Sequence, residues 1–244
     1  KPIRLNREIR NLTENEELEN KIWQQTRLAE YLNCMPISQT MLPAIEADDV
    51  IAYVVTMSSL KGWQKVIVSG DKDFFQLCDD ETILFRPSQK AVLNKHRITS
   101  YYGIHPLNFA LARAVVGDKS DNLRGVGGAG LPTIAKRFPF LSEERSCSIE
   151  ELIECCEATE KKLKVHNNIL ENRDVIEKNY RLMQLYTPSL SPQSKEEIRY
   201  AIEEAPQEFN KTEVLKMMTQ DGFGVFDWSS LYQTMKRIAA DSKD

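Results

Sequence analysis

Residues 117–130 read Gly117-Asp118-Lys119-Ser120-Asp121-Asn122-Leu123-Arg124-Gly125-Val126-Gly127-Gly128-Ala129-Gly130, and two kinds of chemistry meet in them. Asp118 and Asp121, three residues apart beside Gly117, offer the hard oxygen ligands that a divalent cation takes. Gly125, Gly127, Gly128 and Gly130, four glycines in six residues, leave backbone N–H groups exposed. At the start of a helix such groups can cradle a phosphate. Metal ligands followed at once by a phosphate cradle point to an enzyme that acts on phosphodiesters. The stretch follows the apolar run 110–116 and precedes Pro132, a residue favoured in the first helical turn. The glycine spacing is that of a dinucleotide-binding loop, but such a loop needs a strand before it. Here a helix precedes and a helix follows. That order is a helix-hairpin-helix, which grips a DNA backbone through main-chain N–H groups. Lys136 and Arg137 on its second helix are placed to touch phosphates. The alternative is a tight inter-helix turn whose glycines serve positive φ.

Upstream, Lys65-Val66-Ile67-Val68 is a short continuous apolar strand stopped by Ser69-Gly70-Asp71-Lys72-Asp73. This pattern is typical of a buried parallel strand in an α/β sheet, a fold that places its sites at strand C-termini. Before it, Glu46-Ala47-Asp48-Asp49 opens a helix with acids in its first turn, where the helix dipole favours them. A short helix at 74–77, a strand at 82–85 and an edge strand at 91–93 are expected next. If the acidic groups converge, Glu46, Asp48, Asp49, Asp71, Asp73, Asp118 and Asp121 share one pocket. Carboxylates that close raise one another's pKa, and Mg²⁺ or Mn²⁺ is the natural counter-ion. Two such ions would divide an in-line displacement between the attacking and the leaving oxygen. Taken singly, each acidic pair is a cap or a solvated turn; three of them beside a glycine loop favour a site. Asp79, Asp80 and Glu81 read as a turn, and Lys72 as a solvated lysine.

A chain of 244 residues can bury the core of one large domain, or of a domain with a helical appendage. No apolar run approaches the roughly 18–20 residues of a membrane span. The five cysteines (34, 78, 147, 155, 156) show no C-x-x-C pair, which fits reduced thiols and a cytoplasmic protein. Cys155 and Cys156 read as packing residues. His96, His105 and His166 are far apart and suit surface or capping roles. A net charge of −4 is acidic for a nucleic-acid protein, but cations bound at a carboxylate centre offset it. Residues 1–11 are basic and irregular. A helix starts at Thr13, where Thr13-x-x-Glu16 has the capping-box pattern, and its apolar stripe is Leu18, Ile22, Ala29 and Leu32, widened by Trp23 and Leu28. From Thr99 the chain reads as helical: 106–116, 132–138, 148–159 and 165–186, a loop over 187–193, then 210–220 and 227–240 with Asp227 as N-cap.

Glu-Ala-Asp-Asp at 46–49, Ser-Gly-Asp-Lys-Asp at 69–73 and Gly-Asp-Lys-Ser-Asp-Asn at 117–122, followed by the glycine loop, resemble in order and spacing the successive motifs of the FEN-1-like 5′ nuclease superfamily. That superfamily holds flap endonucleases, the 5′-exonuclease domains of bacterial DNA polymerase I, and phage 5′ nucleases. The segment Tyr180-Arg181-Leu182-Met183-Gln184-Leu185, with Pro188 after it, is similar to the family's closing helix. The resemblance covers about residues 44–190 and has the character of a phage enzyme of the T-even RNase H type. It implies an α/β fold with a central, mostly parallel PIN-like sheet, a helix-hairpin-helix region and a helical C-terminal part. The segments would be 1–104, 105–190 and 191–244.

By the same resemblance Glu46, Asp48, Asp71 and Asp73 would hold the catalytic Mg²⁺ or Mn²⁺, with Asp49 close by, and Asp118 and Asp121 a second ion. Gly125, Gly127, Gly128 and Gly130 would bind duplex DNA, with a monovalent cation such as K⁺ on their carbonyls. The implied activity is structure-specific 5′ nuclease action on branched or 5′-flap duplex DNA or RNA–DNA hybrid, in flap or primer removal. A monomer in a bacterial host cytoplasm, working with a polymerase, clamp or single-strand-binding protein, is the expected setting. Two departures stand out. Leu131 and Pro132 occupy the place of a basic residue after the last glycine, leaving Lys136 to substitute. The family's first two ligand aspartates and its basic helical arch would precede Lys1, and the expectation is several tens of further N-terminal residues. Two other readings stay open: a non-catalytic helix-hairpin-helix module, and a PIN-type ribonuclease.

Overall fold

A computed structural model describes residues 12–204, 208–223 and 227–241; the basic stretch 1–11 lies outside them. The chain divides into two compact units, Lys1–Met41 with Glu196–Asp244, and Leu42–Lys195. The three segments expected from the resemblance are thus drawn differently: the first helix goes with the C-terminal ones, and the sheet shares a unit with the glycine loop.

In the first unit, α1 (Glu14–Asn33) begins at the expected capping box. Thr13 Oγ1 accepts from Glu16 N at 3.4 Å, and Glu16 accepts from Thr13 N at 2.9 Å. The apolar stripe does not form a core face. Leu18, Ile22 and Leu28 are each more than half exposed. The helix is held instead through polar groups: Arg27 Nε donates to Asp221 at 2.7 Å, and Tyr31 Oη donates to the same carboxylate at 2.6 Å.

In the second unit, α2 (Ala47–Val55) carries Asp48 and Asp49 in its first turn and follows Glu46 as N-cap. β1 (Lys65–Val68) pairs in parallel with β2 (Thr82–Arg86), Lys65 opposite Thr82, and β2 pairs antiparallel with β3 (Ala91–Leu93). The three-stranded sheet has the order β1-β2-β3. β1 is not buried on both faces as its apolar run suggests. Ile67 points into the core, while Val66 and Val68 stay 51% and 64% exposed, because alternate strand side chains face opposite ways. The turn Asp79-Asp80-Glu81 forms as expected, with Asp79 Oδ1 accepting from Glu81 N at 2.8 Å and Thr82 N at 2.6 Å.

The helices that follow are α3 (Lys95–Tyr102), α4 (Phe109–Val116), α5 (Leu131–Arg137), α6 (Ile149–Ala158), α7 (Lys164–Glu171) and α8 (Arg173–Met183). α3 starts earlier than Thr99 because Asn94 caps it, its side chain accepting from Arg97 N at 2.9 Å. The single helix expected over 165–186 is broken at Asn172 (φ −118°, ψ 30°), whose side chain donates to Asn168 O at 2.7 Å. α9 (Pro192–Glu203) starts inside the expected 187–193 loop, with Ser191 Oγ accepting from Ser194 N at 3.0 Å and Pro192 in its first turn. α10 (Lys211–Gln220) and α11 (Trp228–Asp241) match expectation, and Asp227 Oδ1 accepts from Ser230 N at 3.0 Å as a cap should.

The core of the second unit is built on α4, six of whose eight residues are buried. Phe109 meets Phe75 edge-on at 5.0 Å between ring centroids, and Ala110, Ala112 and Ala114 let neighbours come close. His105 and His166 serve as caps, accepting from Leu107 N at 3.3 Å and Leu163 N at 3.5 Å, but both are buried rather than at the surface. The cysteines are free, and Cys156 is fully buried.

Two buried amides tie loops to this core. Gln76 donates to Met183 O at 3.0 Å and accepts from Leu185 N at 2.7 Å. Asn108 donates to Leu141 O at 3.0 Å and Arg145 O at 2.9 Å, and accepts from Cys147 N at 2.8 Å. Asn108→Ala leaves Arg145 O and Cys147 N without this partner, while Leu141 O keeps the bond from His105 N at 2.8 Å. We expect it to cost about 2–4 kcal/mol in urea unfolding; a change under about 1 kcal/mol would show that water replaces the amide without penalty.

Candidate metal centre and glycine loop

β1 delivers its chain end to a tightly bonded turn. Ser69 N donates to Phe85 O at 3.1 Å, continuing the parallel ladder, and Arg86 Nη2 donates to Gly70 O at 2.8 Å. Asp71 N then donates to Ser69 Oγ at 3.1 Å, and Asp73 N to Asp71 Oδ1 at 2.9 Å. The Asp71 carboxylate therefore shapes the turn and stays exposed. Asp73 heads the 3-10 turn Asp73–Leu77, whose Phe74, Phe75, Gln76 and Leu77 are all buried. Those anchors fix where Asp73 stands.

α4 brings the second arm. The chain turns at Gly117 (φ 78°), and Asp118 and Leu123 pair across a hairpin, N to O at 2.9 and 2.7 Å, closed by Asn122 at φ 57°. Asp118 accepts from Ser120 N at 2.7 Å and from the Ser120 hydroxyl. Arg113, on α4, crosses to both arms: its Nε donates to Asp73 Oδ1 at 2.9 Å and its Nη2 to Asp118 Oδ2.

Ligand oxygens of Asp73, Asp118 and Asp121 lie within 4.8 Å of one another. The three differ in electrostatics. The Ser120 hydroxyl, helped by Arg113, pulls Asp118 down to about 2 against the cost of burial, and it is a carboxylate at neutral pH. Burial pushes Asp73 up from the ordinary value, with Arg113 opposing and the charges of Asp71 and Asp118 adding to the rise. For Arg113, burial works against the charge but the two carboxylates outweigh it, and its pKa is raised.

Of the seven carboxylates expected to share a pocket, three place ligand oxygens within 4.8 Å of one another. Asp73, Asp118 and Asp121 come together, and Asp71 stands next to them. Glu46, Asp48 and Asp49 remain at the start of α2, where Glu46 is exposed without a side-chain cap bond and Asp48 accepts from Asp49 N at 3.1 Å. Arg113 pairs with Asp73 and Asp118 and offsets part of the repulsion between them. The grouping also joins Asp73 to Asp118 and Asp121, across the division between two ions that the resemblance implies. Three all-oxygen donors suit a hard divalent cation.

The glycines divide by role. A Cβ on Gly125 would lie 1.8 Å from Val116 O, and one on Gly117 2.6 Å from Leu123 O, because the two backbones cross in contact. Gly128 supplies positive φ (79°), as the tight-turn alternative requires. Gly127, Gly128 and Gly130 are exposed, as are Lys136 and Arg137 in the last turn of α5. Asn179, buried on α8, donates to Ala114 O and Arg124 O at 2.9 Å each, and Asn168 donates to Gly127 O at 2.8 Å. Arg113, Arg86, Asn168 and Asn179 are not among the residues singled out from sequence. Arg113 alone carried a signal there, as one charge inside the apolar helix Phe-Ala-Leu-Ala-Arg-Ala-Val-Val.

Residues 9–103 match the family described as 5′-3′ exonuclease, N-terminal resolvase-like domain, a match that begins upstream of residue 44. A 5′-3′ exonuclease of Aquifex aeolicus is 30% identical over 175 residues, 70% of this chain and 56% of that protein. One from Buchnera aphidicola is 36% identical over 123 residues, 49% of this chain and 43% of that protein. The thermostable DNA polymerase I of Thermus aquaticus is 32% identical over 109 residues, 45% of this chain and 13% of that protein. The chain thus spans about half the length of the two exonucleases. In fold it is similar to a bacteriophage T5 flap endonuclease solved in a pseudo-enzyme–product complex with DNA and metal ions, with a TM-score of 0.59, 18% identity, and 88% of this chain and 75% of that chain covered.

Proposed function

We propose that this chain, a relative of the FEN-1-like 5′ nucleases, hydrolyses phosphodiesters of DNA or RNA–DNA hybrids near a 5′ end, as in flap or primer removal. One observation carries this: the carboxylates that meet and the glycine loop are two ends of a single stretch, pinned together where Gly117 and Gly125 cross. Asp73, Asp118 and Asp121 would hold a divalent cation, Mg²⁺ or Mn²⁺, and Asp71 with Glu46, Asp48 and Asp49 would serve a second. When bound, such ions supply Lewis-acid polarisation of a phosphoryl oxygen. The chain's own part is placement. The buried turn Asp73–Leu77 fixes one carboxylate, and the 118–123 hairpin the others.

Gly125, Gly127, Gly128 and Gly130 then form the main-chain anchor for a duplex backbone, with Lys136 and Arg137 adding phosphate contacts that set register without reading sequence. Asn168 holds the Gly127 carbonyl, and a monovalent cation such as K⁺ would sit on the carbonyls around it. A DNA polymerase is the proposed working partner, as the polymerase I relative carries a matching segment.

The experiment is cleavage of a labelled 5′-flap duplex with Mg²⁺ against EDTA, with binding followed over salt. Cutting near the flap with Mg²⁺ and none in EDTA, with affinity falling steeply as salt rises, is the expected result. Binding without cutting would favour a non-catalytic module, and cutting of single-stranded RNA regardless of flap structure a PIN-type ribonuclease.

A further inference from the structure

We propose that Arg113 is a built-in counter-ion of the carboxylate cluster: a positioning residue that holds Asp73 and Asp118 together and competes with a divalent cation for their oxygens. The inference rests on the metal reading above and says how the chain regulates access to that site.

Arg113 sits in a helix otherwise made of Phe, Ala, Leu and Val, and its side chain is only 12% exposed. A charge placed there is costly unless it is paired and hydrogen-bonded. Arg113 is paired twice, to carboxylates 45 positions apart in the chain, Asp73 and Asp118. Both are also members of the group whose ligand atoms close within 4.8 Å. These two arms, one at a strand end and one past a helix end, meet through the Phe75–Phe109 packing, which places their backbones but not their carboxylates. The guanidinium joins those, and its fork of donors can span two carboxylates where an ammonium acts as a point charge.

The same bonds set a cost on metal entry. Asp73 Oδ1 and Asp118 Oδ2 are taken by Arg113, and Asp118 Oδ1 by Ser120. A cation that uses these oxygens shares their lone pairs with the guanidinium and stands beside its positive charge, so the two cations repel and compete for the same carboxylates. Arg113 therefore assembles the site in advance and lowers its affinity for metal, favouring ions of charge high enough to win the competition.

The test compares the wild-type chain with Arg113→Met, which keeps the apolar stem, and Arg113→Lys, which keeps the charge. Mn²⁺ binding is measured by titration calorimetry, and melting by circular dichroism with and without Mn²⁺. Arg113→Met should bind Mn²⁺ about tenfold more tightly than wild type, the factor that corresponds to 1.4 kcal/mol. It should melt lower without metal and gain more on adding it. Arg113→Lys should fall between. If the Met variant does not fold, the Lys variant decides: tighter Mn²⁺ binding than wild type supports competition, and equal or weaker binding overturns it. Equal or weaker binding by a folded Met variant, with wild type binding, overturns this inference alone. Mn²⁺ bound by none of the three overturns the inference and the metal reading together.

Discussion

Asp73→Ala is expected to lower single-turnover cleavage of a 5′-flap duplex by on the order of a thousandfold, as the loss of several kcal/mol of charge stabilisation at the reacting phosphate would. Three properties single this carboxylate out. It is the member of the cluster that comes from the turn beyond the strand end, and it is as buried as Asp118, where Asp121 is exposed. Burial raises its pKa, a cost that a purely structural aspartate at a turn would avoid by facing water. And its removal leaves Arg113 still paired with Asp118, which keeps the helix end neutralised. The fold should therefore survive, and duplex binding measured by gel shift should change less than about threefold, since the glycine loop supplies the phosphate contacts. Retention of cleavage within tenfold of wild type would remove Asp73 from the proposed site.

Gly125→Ala should act by another route. The added Cβ would meet Val116 O at 1.8 Å, Val116 C at 2.2 Å and Gly117 N at 2.7 Å, and all three are backbone atoms. No rotamer change can relieve that. The crossing must open, which breaks the Val126 N to Val115 O bond of 2.8 Å and strains the carbonyls held by Asn179. A loss of about 3 kcal/mol or more in urea unfolding is expected, at the upper end for an overpacked site. Gly127→Ala is the control. Its Cβ would meet only the Asn168 side chain, at 3.4 Å, and a change within about 1 kcal/mol is expected. Equal effects at the two positions would mean that the loop moves as a soft segment and that the crossing does not hold it.

Much of the second unit was legible because its signals are local. The apolar run 65–68 with acids beyond it, the residues Thr82 to Phe85 and the helix before the glycines each announce themselves within a few residues. The box at Thr13 did so for α1. What stayed hidden depends on partners distant in sequence. Nothing around Val66 and Val68 tells that they are exposed while Ile67 is buried. The stripe on α1 looks like a core face, yet the helix is held by Arg27 and Tyr31 on Asp221, a pairing across some 190 residues. At the site, the sequence assembles the acids into motifs but cannot say which of them meet. Arg113 pairs with two of them, and an arginine has no period or spacing that reveals its partner. The glycine loop shows the same limit: four glycines are visible, but only the crossing separates Gly125, required by contact, from Gly127, open to solvent.

The amide of Gln76 has a consequence for how the site comes into being. It seats the turn that carries Asp73 on the chain at Met183 and Leu185, 107 and 109 residues downstream. Protein synthesis runs from the N-terminus, and segments fold as their contacts become available. Asp73, Asp118 and Asp121 therefore leave the ribosome well before the residues that hold the first of them in place. The acids are made early and assembled late, and a nascent chain stalled before residue 183 carries every carboxylate of the cluster without the seat that sets their spacing.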